Sequence, residues 1–242
     1  MNLTNDIKST LRRTLYNLFP SLQQYNFYLG KWRYAKKLKS QRNKTLKRFH
    51  QHKGLLVNIG CGSQGRDGWI NIDFAEYKGI NCTFDCSKDL PFEDNSVKAI
   101  FTEHFLEHLD YEKEAQLLLA DCFRVLETGG VIRIVVPDAE KFLIAYNSPG
   151  WEALSVTRPL TSDFIDCHLG IKYNTKMELV NVVFHQFGEH KFAYDYETLK
   201  FCLEKTGFSQ VKKMSFGESR MKELAIDLKV RESESLYVEA IK

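Results

Sequence analysis

Acidic residues are almost missing from the first 53 positions of this 242-residue chain. Asp6 is the only one there, against thirteen Lys and Arg, so residues 1–53 carry +12 while residues 54–242, with 21 bases and 30 acids, carry −9. So one-sided a segment points to an anionic surface or partner, or to a solvated helical face. Cysteine pairing is also missing. Cys61, Cys82, Cys86, Cys122, Cys167 and Cys202 are scattered without a CxxC, which suits a reducing compartment. No apolar run approaches the eighteen or so residues that argue a transmembrane helix, so membrane contact is expected to be peripheral. Asn2, Asn43 and Asn81 stand in sequons, but no apolar signal-peptide core precedes them. Internal repeats and low-complexity segments are absent too. What remains is length enough for one large α/β domain with an appendage.

The rest of the chain is arranged around Leu55–Phe74, LLVNIGCGSQGRDGWINIDF. Leu55, Leu56, Val57 and Ile59 form the near-continuous apolar run of a parallel strand buried on both faces, and Gly60 and Gly62 end it. A glycine pair there permits a sharp turn and lets a ligand reach main-chain atoms. Ile70 to Asp73 reads as a second strand with Asp73 at its carboxyl end, placed to accept hydrogen bonds from the two hydroxyls of a ribose. Gly60, Gly62 and Gly65 also spell the dinucleotide fingerprint. That site needs a helix at the glycines to hold the pyrophosphate, with its acid about 20 residues further on. Only Ser63 to Trp69 separates the two strands, too little for a helix. A nucleoside without pyrophosphate, S-adenosylmethionine (SAM), therefore fits better than NAD.

Upstream, Leu3, Ile7, Leu11, Leu15, Leu18 and Leu22 draw one stripe along a helix, which Pro20 is expected to break or kink. Aromatics alternate with Lys and Arg from Tyr25 to Lys53, a mixture suited to an interfacial membrane helix, an RNA-contacting arm, or a basic helix packed on the domain or a partner subunit. Downstream, Ile80–Asp85 reads as a third strand and Val97–Thr102 as a fourth. Glu103 and His104 then fall on the pocket rim, because ligands of doubly wound sheets sit outside the carboxyl ends of the strands. Tyr111–Leu126 is an amphipathic helix closed by Gly129 and Gly130, and Val131–Val136 is a buried strand ended by Pro137 and Asp138. Lys141–Tyr146 starts another helix. Ser148–Glu189 is longer than a normal connection and reads as an acceptor wall or lid, or as a helical subdomain. Asp195 caps a helix to Lys205 with Gly207 as its stop, and Phe208–Met214 and Ser235–Ile241 read as a final antiparallel pair. His104, Glu107 and His108 spell the inverted zinc-protease motif HxxEH. It follows a strand directly and lacks a third ligand, so no metal is expected.

In order, the GCG and GWINID segments, DLPFEDNS (89–96), EHFLEHL (103–109), FRVLETGGVIRIVVPD (123–138), HKFAYDYETLKFCLEKTGF (190–208) and the closing SLYVEAIK resemble class I SAM-dependent methyltransferases of the bacterial type-11-like kind. The resemblance runs from about Gly54 to Lys242. It implies an α/β fold, a Rossmann-like, doubly wound, seven-stranded and mostly parallel sheet with an antiparallel final strand. That domain would span residues 54–242, with 148–189 as its insertion, behind a basic helical arm over residues 1–53. It implies SAM as cofactor, held by Asn58, Gly60, Cys61, Gly62, Asp73, Phe74, Asp85, Cys86, Glu103 and His104. Asp85 and Cys86 would be the adenine contacts, the carboxylate accepting from the exocyclic amine while a backbone amide donates to the ring. Lys98 departs from the pattern, standing where such proteins more often carry an acid. Proteins of this kind are associated with surface-polysaccharide assembly, so the implied reaction is O-methylation of a sugar hydroxyl or a related small acceptor. A hydroxyl keeps its proton at neutral pH, and His104, Asp138 and His190 are the candidate bases. No NPPY-like motif follows the fourth strand, which weighs against nucleobase N-methylation. The alternatives are a non-catalytic SAM-binding partner subunit, and RNA or small-molecule methylation using the arm. A DNA partner is not expected. The expected place is the cytoplasm, peripheral at the inner face of an anionic membrane.

Overall fold

The computed structural model describes residues 20–242, apart from Glu76 and the side chains of residues 20–28, 30, 31, 34 and 38. The stripe drawn from Leu3 to Leu22 thus lies outside the described residues, and the break expected at Pro20 falls at their edge. The chain divides into two units, Met1–Thr45 and Leu46–Lys242. In the first, helix α1 (Pro20–Phe49, continuing past the division) carries nine Lys or Arg and no acid. Trp32 on it is exposed, with the Lys36 ammonium 5.1 Å from its ring centroid. No described helix is long and apolar enough to cross a membrane.

The second unit is built on strands β1 (Leu55–Ile59), β2 (Ile70–Asp73), β3 (Cys82–Thr83), β4 (Val97–Glu103), β5 (Leu126–Pro137), β6 (Ser209–Met214) and β7 (Ser235–Ile241). They form one sheet in the order β3-β2-β1-β4-β5-β7-β6. All neighbours pair in parallel except β7, which runs antiparallel to both β5 and β6. The chain winds outward from β1 through β2 to β3, then returns to β4 on the other side. The resulting switch point between β1 and β4 is where ligands of such sheets bind.

One sheet face is covered by α2 (Glu114–Val125) and α6 (Tyr196–Thr206), which pack Leu118, Leu119, Leu199 and Leu203 onto Ile59, Ile100, Ile134 and Val238. Asp195 accepts from the Thr198 amide at 2.8 Å and Gly207, at φ 112°, ends α6. On the other face no helix follows β1. The irregular connection between β6 and β7, residues 215–234, covers that face instead, setting Phe216, Met221, Leu224 and Ile226 against Ala99, Phe101, Val135 and Tyr237. Arg133 holds it there. Its guanidinium donates to Asp227 (2.6 and 2.7 Å), to Glu239 (2.9 Å) and to the carbonyls of Ser215 and Glu218.

Three boundaries differ from the sequence reading. β3 is only Cys82–Thr83: just before it the Asn81 side chain takes up the Asn71 amide and the Trp69 carbonyl at 2.9 and 2.8 Å, and only the Asn81 amide bonds the β2 backbone, at the Asn71 carbonyl. Asp85 therefore lies beyond the strand. α2 begins three residues late, after a turn in which Asp110 accepts from the Lys113 amide. Gly129 and Gly130 do not close it. Leu126 turns extended and enters β5, and Gly129, at φ 80°, sits in an irregularity of that strand whose amide donates to Lys242.

The insertion folds as a small subdomain with α3 (Ala139–Asn147), α4 (Glu152–Thr157) and α5 (Lys176–His185) around Phe142, Leu154, Tyr173 and Leu179. Thr175 and Glu178 make a reciprocal cap at the start of α5. Arg158 ties the subdomain to the sheet by pairing with Asp166 (2.8 Å) and Glu234, next to β7.

Candidate active site

The chain from β1 to β2 has no helix to shape it, and side-chain amides do so. Asn58, buried on β1, donates to the Gln64 carbonyl and to Asn71 Oδ1, both at 3.3 Å; Asn71 in turn accepts from the Arg66 amide and donates to the Arg66 carbonyl. Asn58 thus holds the glycine loop. Gly60 and Gly62 adopt φ 65° and 51°, where a β-carbon is penalised. They face different things. A β-carbon on Gly60 would lie 2.2 Å from the Phe105 ring, whereas one on Gly62 would have no neighbour within 4 Å. Close ligand approach is therefore possible over Gly62, while Gly60 makes room for Phe105.

Asp73 ends β2 half-buried, its two oxygens accepting from the amides of Gly62 and Ala75 at 2.9 Å. A carboxylate held this way keeps lone pairs for ribose hydroxyls. Phe74 beside it is 55 % exposed at the sheet tip. Asp85 caps its own turn, accepting from the Ser87 hydroxyl (2.6 Å) and amide (3.1 Å). The Cys86 thiol is buried in the core, so its side chain does not reach an adenine. Burial, reinforced by Asp73, pushes the Cys61 thiol up to about 12, so Cys61 is no thiolate nucleophile. Glu103 ends β4 and accepts from the Leu228 amide at 3.0 Å; burial raises its pKa above the usual carboxylate value against that bond. Asn58, Cys61, Glu103 and Leu228 line a small cavity of about 30 Å³. The open space over Gly62 and the carboxylate at the β2 tip fit a nucleoside cofactor.

A second, narrow cavity of about 10 Å³ lies past the carboxyl ends of β4 and β5, under the insertion, with His104, His190, Arg158, Arg231 and Glu234 in its wall. His104 leaves β4 at φ 52°, in the left-handed region. Such strain, of about 1–3 kcal/mol for a non-glycine residue, clusters at functional sites. Its Nδ1 is 3.3 Å from Glu107 and its Nε2 2.9 Å from the Ser235 hydroxyl, so both ring nitrogens are engaged. The Glu107 carbonyl accepts from the Lys191 and Phe192 amides, which brings His190 beside the buried Glu107 carboxylate. His190 Nδ1 donates to the Val183 carbonyl at 2.6 Å, and its Nε2 is 3.9 Å from Glu107 Oε1. Burial lowers the His190 pKa below the usual histidine value, only partly offset by Glu107, and keeps the ring neutral with Nε2 as its acceptor. At Glu107 burial works to raise the pKa, but the nearby His104 imidazole and the other two histidines outweigh it and hold the carboxyl below its usual value.

Of the three candidate bases, the structure therefore brings His104 and His190 together and leaves Asp138 apart. Asp138 is fully buried as the cap of α3, accepting from the Lys141 amide, with Lys213 3.5 Å from its other oxygen, and it does not line the cavity. Residues ending a strand often cap the following helix, and that role wins here. Arg158, Arg231 and Glu234 of the cavity wall escaped the sequence reading, because what brings them together is the Arg158–Glu234 pair between distant segments, which leaves no local signal.

A family model described as a methyltransferase domain matches residues 68–134, from just before β2 into β5. Among curated proteins none matches. The solved structures similar to this chain include a SAM-dependent methyltransferase from Archaeoglobus fulgidus, at 20 % identity over 88 % of this chain and 99 % of that one, with a TM-score of 0.47. Another, a SAM-dependent methyltransferase from Thermotoga maritima, is 14 % identical over 95 % of this chain and 98 % of its own, with a TM-score of 0.48. The domain match falls on the part of the sheet that carries Asp73 and Glu103, so over residues 68–134 this chain is similar to a methyltransferase domain.

Proposed function

We propose that this chain is a SAM-dependent methyltransferase acting on a hydroxyl of a sugar-class acceptor, of the kind found in surface polysaccharides, which docks over the narrow cleft under the insertion. SAM supplies an activated methyl group on a sulfonium, so the protein's part is alignment and handling of the acceptor proton. Alignment alone is worth up to about 7–11 kcal/mol in favourable cases. Arg158, Arg231 and Glu234 offer the charged hydrogen-bonding wall that a polyhydroxylated acceptor needs. The observation that carries the reading is the Glu107–His190 cluster. A neutral imidazole with a free Nε2 on the cavity wall suits an acceptor that keeps its proton, as a hydroxyl does.

The basic arm supports presentation of a lipid-linked acceptor at an anionic membrane, as α1 has nine bases and no acid. The six free cysteines agree with a cytoplasmic setting. To test the acceptor reading, S-adenosylhomocysteine release is followed with saccharides, nucleotide sugars and small amines. Turnover is expected with hydroxyl acceptors, and His190→Gln should lower kcat by about 10²–10⁴-fold while leaving SAM affinity unchanged. Turnover with amines alone, or a full rate in His190→Gln, would remove the reading.

A further inference from the structure

The HxxEH motif, judged by itself, lacks a third metal ligand, and the fold alters that judgement. His190, far along the chain, is brought to Glu107 and His108 by the two amides that bond the Glu107 carbonyl. The ligand-capable atoms of Glu107, His108 and His190 all lie within 4.8 Å of one another. His104, the first residue of the motif, is not in this set.

Each of the three side chains is arranged as a ligand is. His190 Nδ1 donates to the Val183 carbonyl (2.6 Å) and His108 Nδ1 to the Glu189 carbonyl (3.1 Å), which leaves both Nε2 atoms as free acceptors. Metal-binding histidines are fixed in this way, the second nitrogen tied to a backbone carbonyl or carboxylate. Glu107 is 1 % exposed, and neither of its carboxylate oxygens accepts a well-formed hydrogen bond among the described residues. A buried carboxylate so poorly satisfied needs a cationic partner. His104 supplies an outer support, its Nδ1 3.3 Å from Glu107 Oε1 and its own far nitrogen held by Ser235.

We propose that Glu107, His108 and His190 bind a divalent cation of the zinc class. Two imidazoles and one carboxylate form a three-ligand set of the open kind, leaving a fourth position. Tetrahedral bonds of ~2.1 Å put ligand atoms about 3.4 Å apart, so the Glu107–His190 pair needs to close by roughly 0.5 Å from its present 3.9 Å. The half-buried His108 has room to supply the rest. His190 belongs to both the cluster and the cavity wall. A cation here would therefore act on the acceptor by lowering the pKa of its hydroxyl rather than by His190 taking the proton. That use rests on the hydroxyl reading above, whereas cation binding does not, and loss of turnover in His190→Gln follows in either case.

The test titrates Zn²⁺ into chelator-treated full-length protein against a chromophoric chelator, with Co²⁺ as a spectroscopic probe. One equivalent per chain is expected, with visible d–d absorption from Co²⁺ and no thiolate charge-transfer band. Glu107→Gln, nearly isosteric, and His108→Ala, at a half-exposed position, should each weaken binding by at least about 100-fold. His104→Ala should weaken it by about 10–100-fold, as removal of an outer-shell partner does. Cys167→Ser, which removes the exposed thiol, should change nothing. The proposal is overturned if no equivalent binds, if Glu107→Gln and His108→Ala bind as tightly as the parent, or if the bound ion shows thiolate absorption lost in Cys167→Ser. If one Zn²⁺ binds through the cluster and no hydroxyl acceptor is methylated, the cation site stands and the acceptor reading falls.

Discussion

At the scale of single residues, the glycine loop divides two roles that the sequence presents as one. Gly60 is small because Phe105 packs over it, and Gly62 is small beneath open space. Gly60→Ala is expected to destabilise the fold by about 1–3 kcal/mol through overpacking against Phe105. Gly62→Ala should cost only about 1 kcal/mol of left-handed strain, yet lose SAM affinity because its methyl enters the space left for the cofactor. Thermal melts and calorimetry on the two variants separate these outcomes; equal SAM affinity in Gly62→Ala and the parent would place the cofactor elsewhere. Asp73, Glu103 and His104 were legible as rim residues because each follows directly from the end of an apolar run. Asp138 looked equivalent by the same rule, but its carboxylate is consumed by the cap of α3. The pattern shows where a strand ends and not which way the next side chain turns. His190 carried no helical or strand pattern of its own, and its nearness to Glu107 depends on backbone bonds between distant segments.

Among the elements, β1, β2, β4, β5 and β7 were readable because strands buried on both faces must be nearly continuous in apolar residues. Connection 215–234 was not, since it has little periodicity and works as a cover. Its trace in the sequence is a pair of misplaced charges. Arg133 interrupts VIRIVV on β5, Glu239 interrupts YVEAI on β7, and the two are direct register partners. An Arg and a Glu facing each other inside a sheet need further partners, which Asp227 and the carbonyls of Ser215 and Glu218 provide. Asp227→Ala should therefore destabilise the protein by about 1.5–3 kcal/mol, the cost of leaving two buried guanidinium donors unsatisfied while Glu239 still pairs the charge. Urea denaturation gives the value, and a loss below about 1 kcal/mol would mean that the connection is held by its apolar contacts alone. Because Leu228 and Arg66 join this connection to the cofactor-side cavity through Glu103 and the Ile226 carbonyl, the same variant should also weaken SAM binding.

For the molecule as a whole, the charge division of the sequence, +12 over residues 1–53 and −9 over the rest, is the basis for a membrane-facing arm. Near an anionic leaflet each Lys or Arg is worth about 1 kcal/mol, reduced by salt. Full-length protein is expected to cosediment with vesicles containing anionic lipid and not with neutral ones, and a form lacking residues 1–45 should lose this. An RNA shift retained only by the full-length form, with no vesicle binding, would assign the arm to RNA. The nucleoside site at the switch point between β1 and β4, without a pyrophosphate-binding helix, underlies every functional statement made of this protein. Calorimetry with SAM and NAD on the parent protein and Asp73→Ala tests it most directly. Micromolar-class binding of SAM is expected, none of NAD, and a loss of roughly 1–3 kcal/mol of SAM affinity in Asp73→Ala. Binding of NAD in place of SAM, or SAM affinity untouched by the loss of the Asp73 carboxylate, would contradict it.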